Sequence, residues 1–422
     1  MTDAPALRPR LRDEPDFRRY WWSRLLSLSG TVVTLVALPV LVYRLSDSAF
    51  LTALVAALEA APYLVFGLLA GALSDRWDRK AVMVTADFAN AAVVASVPLA
   101  AWLGALTVPH VLVVAFVSPA VATFFDGANF GALPVLVGRD RIAAANAAVW
   151  GAATSIEMVL PALVGLSLAF VEPATLLVVD ALSFVASGLF VRAITRFLHD
   201  PDRPRVPLTR RVVVSDIGEG LRFLGRHAGV RTMTIVGTVQ CLSGGGFVAL
   251  LVVWCDRVLG VGTEGLRFGL VYAGWSVGGL LASVLLPRAL RYTTPASVTL
   301  AALPVAAGLG IATALATQWM LAALGMVAWG FAYTLVVVNS ISYRQTVTPE
   351  HLLGRVNTAG RMLSWGLGWT GGAVLGGALG HLLGTRPALI TMASIGLLSV
   401  VVAWTSPLRS VRSRSVVDTV DS

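Results

Sequence analysis

Two stretches of the chain, Phe88 to Phe125 and Tyr292 to Tyr343, contain no Asp, Glu, Lys or Arg. A membrane-spanning helix needs about 20 apolar residues, so each stretch is long enough for two spans joined by a turn. Composition agrees with this reading. Apolar residues make up 56% of the 422 and charged residues 13%, against roughly 45–50% and 25% in ordinary globular proteins. So few charges could not cover the surface of soluble domains built from a chain this long. The fold expected is an all-α integral membrane protein.

Apolar stretches separated by polar or Gly/Pro-rich breaks place spans near 17–43, 51–73, 81–103, 109–134, 143–170 and 174–195, then near 231–255, 266–287, 295–316, 319–343, 355–383 and 387–405. These are twelve transmembrane helices in two sixes. The domain reading is an N-terminal bundle over 1–195, a linker over 196–230, a C-terminal bundle over 231–405 and a tail over 406–422. An amphipathic piece of the linker starts at Asp216, and its apolar side is expected to rest on the bilayer surface. The N-terminus is basic and leads into a long apolar stretch with no small-residue cleavage site, which reads as an uncleaved first span.

An even number of spans puts both termini and the linker on one side. That side receives 26 of the 32 Lys and Arg residues, while Arg44, Arg257, Arg267 and Arg386 fall on the other. Basic residues gather at cytoplasmic helix ends, so both termini are expected in the cytoplasm, with the chain in the inner (plasma) membrane. The formal charge of +9 is thereby accounted for without a nucleic-acid partner. Cys241 and Cys255, about 21 Å apart along one expected helix, are too distant to bridge.

The two halves echo each other at an offset near 211, half the chain. Asn146, Pro161 and Gly165 fall opposite Asn357, Gly372 and Gly376, and with a one-residue adjustment Arg76 and Arg79 fall opposite Arg288 and Arg291. An offset carrying an even number of spans makes the repeat parallel, with its axis along the membrane normal.

The stretch Gly71 to Lys80, GALSDRWDRK, joins spans two and three. It resembles the loop motif of the major facilitator superfamily, roughly G-x-x-x-D-R-x-G-R-R/K, with Asp78 where the pattern has Gly. FRRYWWSRLLSLSG, ALPVLVGRDRIAAAN and TPEHLLGRVN extend the resemblance to the twelve-helix exporter branch that includes the enterobactin and macrolide efflux carriers. The resemblance implies two pseudo-symmetric six-helix bundles and export of a small apolar or amphipathic molecule by alternating access. An importer or lipid flippase on the same scaffold is the alternative. It also implies a cytoplasmic latch formed by Gly71, Asp75, Arg76, Arg79 and Lys80, the basic residues pairing with Asp75 or with lipid phosphates. The partners implied are a small-molecule substrate, a proton or other coupling ion and membrane lipid, for a protein acting as a monomer. A G-P-x-x-G antiport motif is met only in part, by Leu160, Pro161 and Gly165, and the fourth-span Arg of many proton-coupled relatives is missing.

Ionisable residues inside spans are functional candidates because charge there is expensive. Arg24 and Asp126 reach similar depths, as an ion pair or with Asp126 as a proton carrier. Glu59 and Glu157 lie nearer mid-membrane and read equally as proton carriers or as protonated packing residues. Asp180 is taken as structural. Span eleven repeats small residues at Ser364, Gly368, Gly372, Gly376, Gly380 and Gly384, a close-packing stripe. The family arrangement implies Gly67 and Gly71 of span two as its facing surface, and the 211 offset puts Glu157 on the matching packed face of span five. By analogy, cavity candidates are Thr31, Thr34, Phe124, Asn129, Phe247, Trp254, Trp329, Tyr333 and Asn339, each equally readable as packing.

No G-x-x-x-x-G-K-[ST] loop exists, and Lys80 is the only lysine, so direct ATP hydrolysis is excluded. The five histidines sit in no metal-ligand spacing. No cofactor and no metal are expected; a membrane enzyme would need a cluster of polar residues at one interface, which the sequence lacks, and a non-transporting receptor would be told apart by moving no solute in reconstituted vesicles.

Overall fold

A computed structural model describes residues 11–74, 77–138, 141–198, 210–349 and 352–408. The N-terminal half holds α1 (Pro15–Ser46), α2 (Ala49–Ser74), α3 (Arg79–Trp102), α4 (Val108–Val137), α5 (Ile142–Ser167) and α6 (Pro173–Arg192). After α7 (Arg210–Arg226) come α8 (Ala228–Ala249), α9 (Leu251–Arg257), α10 (Gly265–Ala289), α11 (Pro295–Ala314), α12 (Trp319–Val347), α13 (Leu353–Arg361), a π-helical segment (Met362–Trp369), α14 (Thr370–Leu383) and α15 (Thr385–Thr405). Among the described residues every regular element is helical.

Helix starts follow local chemistry. Pro15, Pro173 and Pro295 open α1, α6 and α11, where the missing N–H is no loss and φ is already set. Asp78 and Thr294 cap α3 and α11, accepting hydrogen bonds from the backbone N–H of Ala81 at 2.8 Å and Ser297 at 3.2 Å. Gly384, at φ +87, makes the turn between α14 and α15.

Eleven helices are long and apolar enough to cross a membrane. The remaining span, the eleventh in chain order, is composite, running through α13, the π-helical segment and α14. Span seven is likewise broken at Leu250, which separates α8 from α9 and so parts Cys241 from Cys255, both buried and free. Lipid supplies no hydrophobic drive between helices, so close contacts of small residues and polar ties do the work. In the first half α1 packs on α6, α2 on α4 and α3 on α4 and α6; in the second, α10 packs on α12, α11 on α12 and α15, and α8 on α14 and α15. Across the halves, α5 meets α10, and α2 meets α14 and the π-helical segment.

The linker differs from expectation. Its amphipathic helix starts at Arg210, six residues before Asp216, and its C-terminal end packs on protein while Leu221 stays exposed. Leu224 is buried with Val230, Leu352, Val356 and Ala359, and Glu219 pairs with Arg355 of α13. An apolar stripe beside the exposed end of a broken span finds a protein partner before it finds lipid.

The small-residue stripe also has a different partner. A Cβ on Gly368 would lie 2.7 Å from the Thr238 carbonyl oxygen, one on Gly376 would lie 2.6 Å from that of Gly246, and one on Gly372 would overlap that of Leu242. The stripe therefore climbs α8 in steps of four on both helices, and nothing lies within 4 Å of the corresponding point on Gly67. The face toward α2 is the offset set, Gly366 against Leu64 and Gly377 against Ala53.

Candidate functional site

The face away from the chain termini is closed by polar contacts between the halves. The Tyr43 hydroxyl donates to Asp256 Oδ2 at 2.6 Å, and Arg257 donates to the Tyr43 hydroxyl at 3.0 Å and to Asp47 Oδ1 at 2.7 Å. Arg44 donates to Glu264 Oε2 at 2.5 Å. Below them, a Cβ on Gly165 of α5 would sit 2.5 Å from Gly269 Cα of α10, a backbone approach that only glycine permits.

Asp47, in the turn after α1, is held below the ordinary carboxylate range by its hydrogen bond from Arg257. A depressed acid contributes above its unfolded pKa of about 3.9, and the contribution is lost as pH falls through the lower folded value. Closure of this face should therefore be flat from about pH 8 to 5 and loosen only below about 4. The modification rate of a cysteine placed at Thr52, fully buried beneath the seal, reports it; a change between pH 8 and 5 contradicts the assignment.

Nearer the termini a polar chain crosses between the halves. Arg24 Nη2 lies 3.7 Å from Asp126 Oδ1, and the two side chains are 23% and 30% exposed although both lie well inside apolar helices. The Tyr63 hydroxyl donates to Asp126 Oδ2 at 3.4 Å, and the Arg361 guanidinium sits 5.3 Å from the Tyr63 ring centroid. The chain joins α1, α4, α2 and α13.

Glu59, one turn before Tyr63, is half-buried. It has no hydrogen bond or ion pair among the described residues. Glu157 departs from expectation. It is exposed, while Pro161 and Gly165 on the same α5 are buried. The offset mapping carried a face from Gly368, inside a π-helical segment, onto a regular α-helix, and the wider π turn breaks the angular correspondence.

Most of the cavity candidates are packed. Phe247, Trp254 and Trp329 are at most 2% exposed, with Phe247 and Trp329 ring centroids 4.4 Å apart. Tyr333 is buried with its hydroxyl 3.6 Å from Cys241 Sγ. Asn339 donates to the Pro295 carbonyl at 2.6 Å and to Thr299 Oγ1 at 2.7 Å, tying α12 to α11. Thr34 donates to Asp180, joining α1 to α6, and Thr31 donates to the Ser27 carbonyl of its own helix. Small neighbours such as Gly244 and Gly310 make room for these rings, so aromatic identity alone did not place them in a cavity. Phe124 is half-buried against Phe66, and Asn129, also half-buried, accepts from the Tyr20 hydroxyl at 2.6 Å.

In the 71–80 motif, Asp75 and Arg76 lie outside the described residues, and Gly71 lies in the last turn of α2. Arg79 is buried and donates to the Gly131 carbonyl at 2.8 Å, and Lys80 donates to that of Ile194 at 2.6 Å. The two cations thus donate to carbonyls of α4 and of the segment after α6 in their own half, and the expected pairing with Asp75 falls on a residue outside the described ones. Asp78, the departure from the motif, is the cap of α3.

One buried acid escaped the sequence reading. Asp87 of α3 is 2% exposed and accepts from Ser187 Oγ at 2.7 Å. The signal was available, because Asp87 and Asp126 bracket the first charge-free stretch.

The chain is similar in sequence to the multidrug efflux pump Tap of Mycolicibacterium fortuitum, with 27% identity over 90% of this chain and 93% of that one. It is 24% identical to the enterobactin exporter EntS of Citrobacter koseri, over 90% of this chain and 87% of that one. With macrolide efflux protein A of Streptococcus pyogenes it shares 26% identity over about half of each chain, 53% and 54%. In structure it resembles the nucleoside transporter NupG, with a TM-score of 0.68, 13% identity and coverage of 95% and 99%. It also resembles a bacterial homologue of the human lysosomal transporter Spinster in an inward-facing, occupied conformation, with a TM-score of 0.69, 15% identity and coverage of 94% and 96%. These structural likenesses show the major facilitator fold. The family model described as transmembrane secretion effector matches residues 8–420, and the chain belongs to that family of membrane transporters.

Proposed function

We propose that the protein is a secondary exporter of small apolar or amphipathic molecules, driven by entry of a proton or another ion. Its halves, 1–195 and 231–405, rock about the cleft between them. The carrying observation is the asymmetry of that cleft: ion pairs and glycine contacts close it on one face, while Arg24 and Asp126 remain partly exposed toward the other. With 26 of 32 cations on the terminal side, that side is assigned to the cytoplasm, which makes this an inward-facing state. Efflux names among the sequence relatives support the outward direction.

The test is transport in proteoliposomes carrying a pH gradient, with a panel of fluorescent amphipathic solutes. Accumulation that collapses on addition of a protonophore is expected for at least one solute. A reconstituted, folded protein that moves none of them, with either gradient polarity, removes the exporter reading.

A further inference from the structure

A narrow crevice, with room for about one water-sized group, lies between α8, α12, α13 and the π-helical segment, lined by Gly237, Ser340, Arg344, Gly360, Arg361 and Trp365 among others. It contains two arginines and no carboxylate. Arg344 is 2% exposed and donates through Nε to Asn357 Oδ1 at 3.2 Å; its two terminal nitrogens have no partner among the described residues. A Cβ on Gly360 would run into the Arg344 guanidinium, so glycine is what lets that group lie along α13 at the crevice wall. Arg361 is exposed to the cleft, held over Tyr63 of the other half. Among the described residues, Glu219 is paired with Arg355 and Asp126 with Arg24.

A buried guanidinium without a counter-ion is costly, and two side by side repel. Their planar forks match a carboxylate, phosphate or sulfonate better than any neutral group. Beside them Trp365 stacks on Trp369, ring centroids 5.0 Å apart at 15°, and is 41% exposed, a flat apolar surface next to a cationic one. We propose that this crevice binds the anionic head of an amphipathic molecule, Arg344 and Arg361 holding the charge and Trp365 meeting the apolar body. The inference names a substrate class for the exporter reading and rests on it.

The experiment is calorimetric titration of the purified full chain in detergent with naphthalene-2-carboxylate and with naphthalene-2-carboxamide, one shape in two charge states, against protein-free micelles. The acid is expected to bind about tenfold tighter or better. Arg344→Gln and Arg361→Gln should each bring the two probes close to equal, and Arg344→Lys should keep part of the preference. Ser364→Asp leaves both arginines in place and sets a carboxylate beside them. It should abolish the preference even where Arg344→Gln fails to fold. Competition by phosphatidylglycerol but not phosphatidylcholine would identify a lipid headgroup as the anion source, and no competition by either a soluble acid; both outcomes support an anion site. Equal binding of the two probes, binding of neither, or a preference that survives in Arg361→Gln and Ser364→Asp overturns it. Because binding in micelles needs no flux, loss of anion preference with transport intact removes this inference alone. A chain that binds the anion but moves no solute removes the exporter reading.

Discussion

Replacing Gly269 with valine should prop the two halves apart on the face away from the termini. A Cβ there would lie 2.6 Å from the Ala162 carbonyl oxygen and 2.8 Å from its Cα, and backbone cannot swing aside as a flexible side chain does. Overpacking of this kind costs about 1–3 kcal/mol, which at 1.4 kcal/mol per tenfold shifts the balance of states by roughly 5- to 150-fold. Only the state in which α5 touches α10 bears that cost. Cysteines replacing Arg44 and Glu264 should therefore crosslink more slowly in the variant, and a pair across the ends of α2 and α13 on the side of the chain termini should crosslink faster. Gly151→Val, on the same α5 but with open space around it, should behave as the parent. Equal crosslinking in all three chains would mean that the close approach of Gly165 and Gly269 sets packing and not state.

Glu59→Gln is expected to uncouple transport. A carboxylate in the middle of α2, with no cation or hydrogen-bond donor beside it among the described residues, exchanges charge only when water and a proton reach it. Glutamine keeps the shape of the protonated acid and cannot release a proton. Accumulation driven by a pH gradient should fall by roughly 5- to 150-fold, the range of a 1–3 kcal/mol coupling, while substrate exchange without a gradient stays near the parent level. Glu157→Gln should leave both activities close to the parent, because Glu157 stands away from the contacts that bury Pro161 and Gly165. Full gradient-driven accumulation in Glu59→Gln would pass the coupling role to Asp126.

The spans were legible because desolvation of charge acts on every residue of a helix at once, so Phe88–Phe125 and Tyr292–Tyr343 declare themselves without any knowledge of neighbours. What faces what was not legible. The stripe from Gly368 to Gly380 announced a close contact but not its partner, and α8 was found where α2 was expected. Phe247, Trp254 and Trp329 were readable as aromatic residues in spans, but whether a ring meets a cleft or a glycine on the next helix depends on tertiary register. The same holds for Glu157, whose expected face was computed as though span eleven were a regular α-helix. By contrast Arg24 and Asp126 could be matched by depth alone, because axial rise is the one coordinate that sequence counts directly.

The π-helical segment Met362–Trp369 gives span eleven two independently phased portions. Its outer portion is keyed to α8 by Gly372 and Gly376 and to Leu250 by Gly380, while Arg361 stands at its inner edge. A single turn that trades i→i+5 for i→i+4 hydrogen bonds turns one portion against the other and leaves the glycine ladder engaged. Span eleven is thus a swivel whose outer end is clamped. Because Arg361 lines the crevice with Arg344 and also lies over Tyr63 of the other half, any turn of the inner portion would be felt at both places at once.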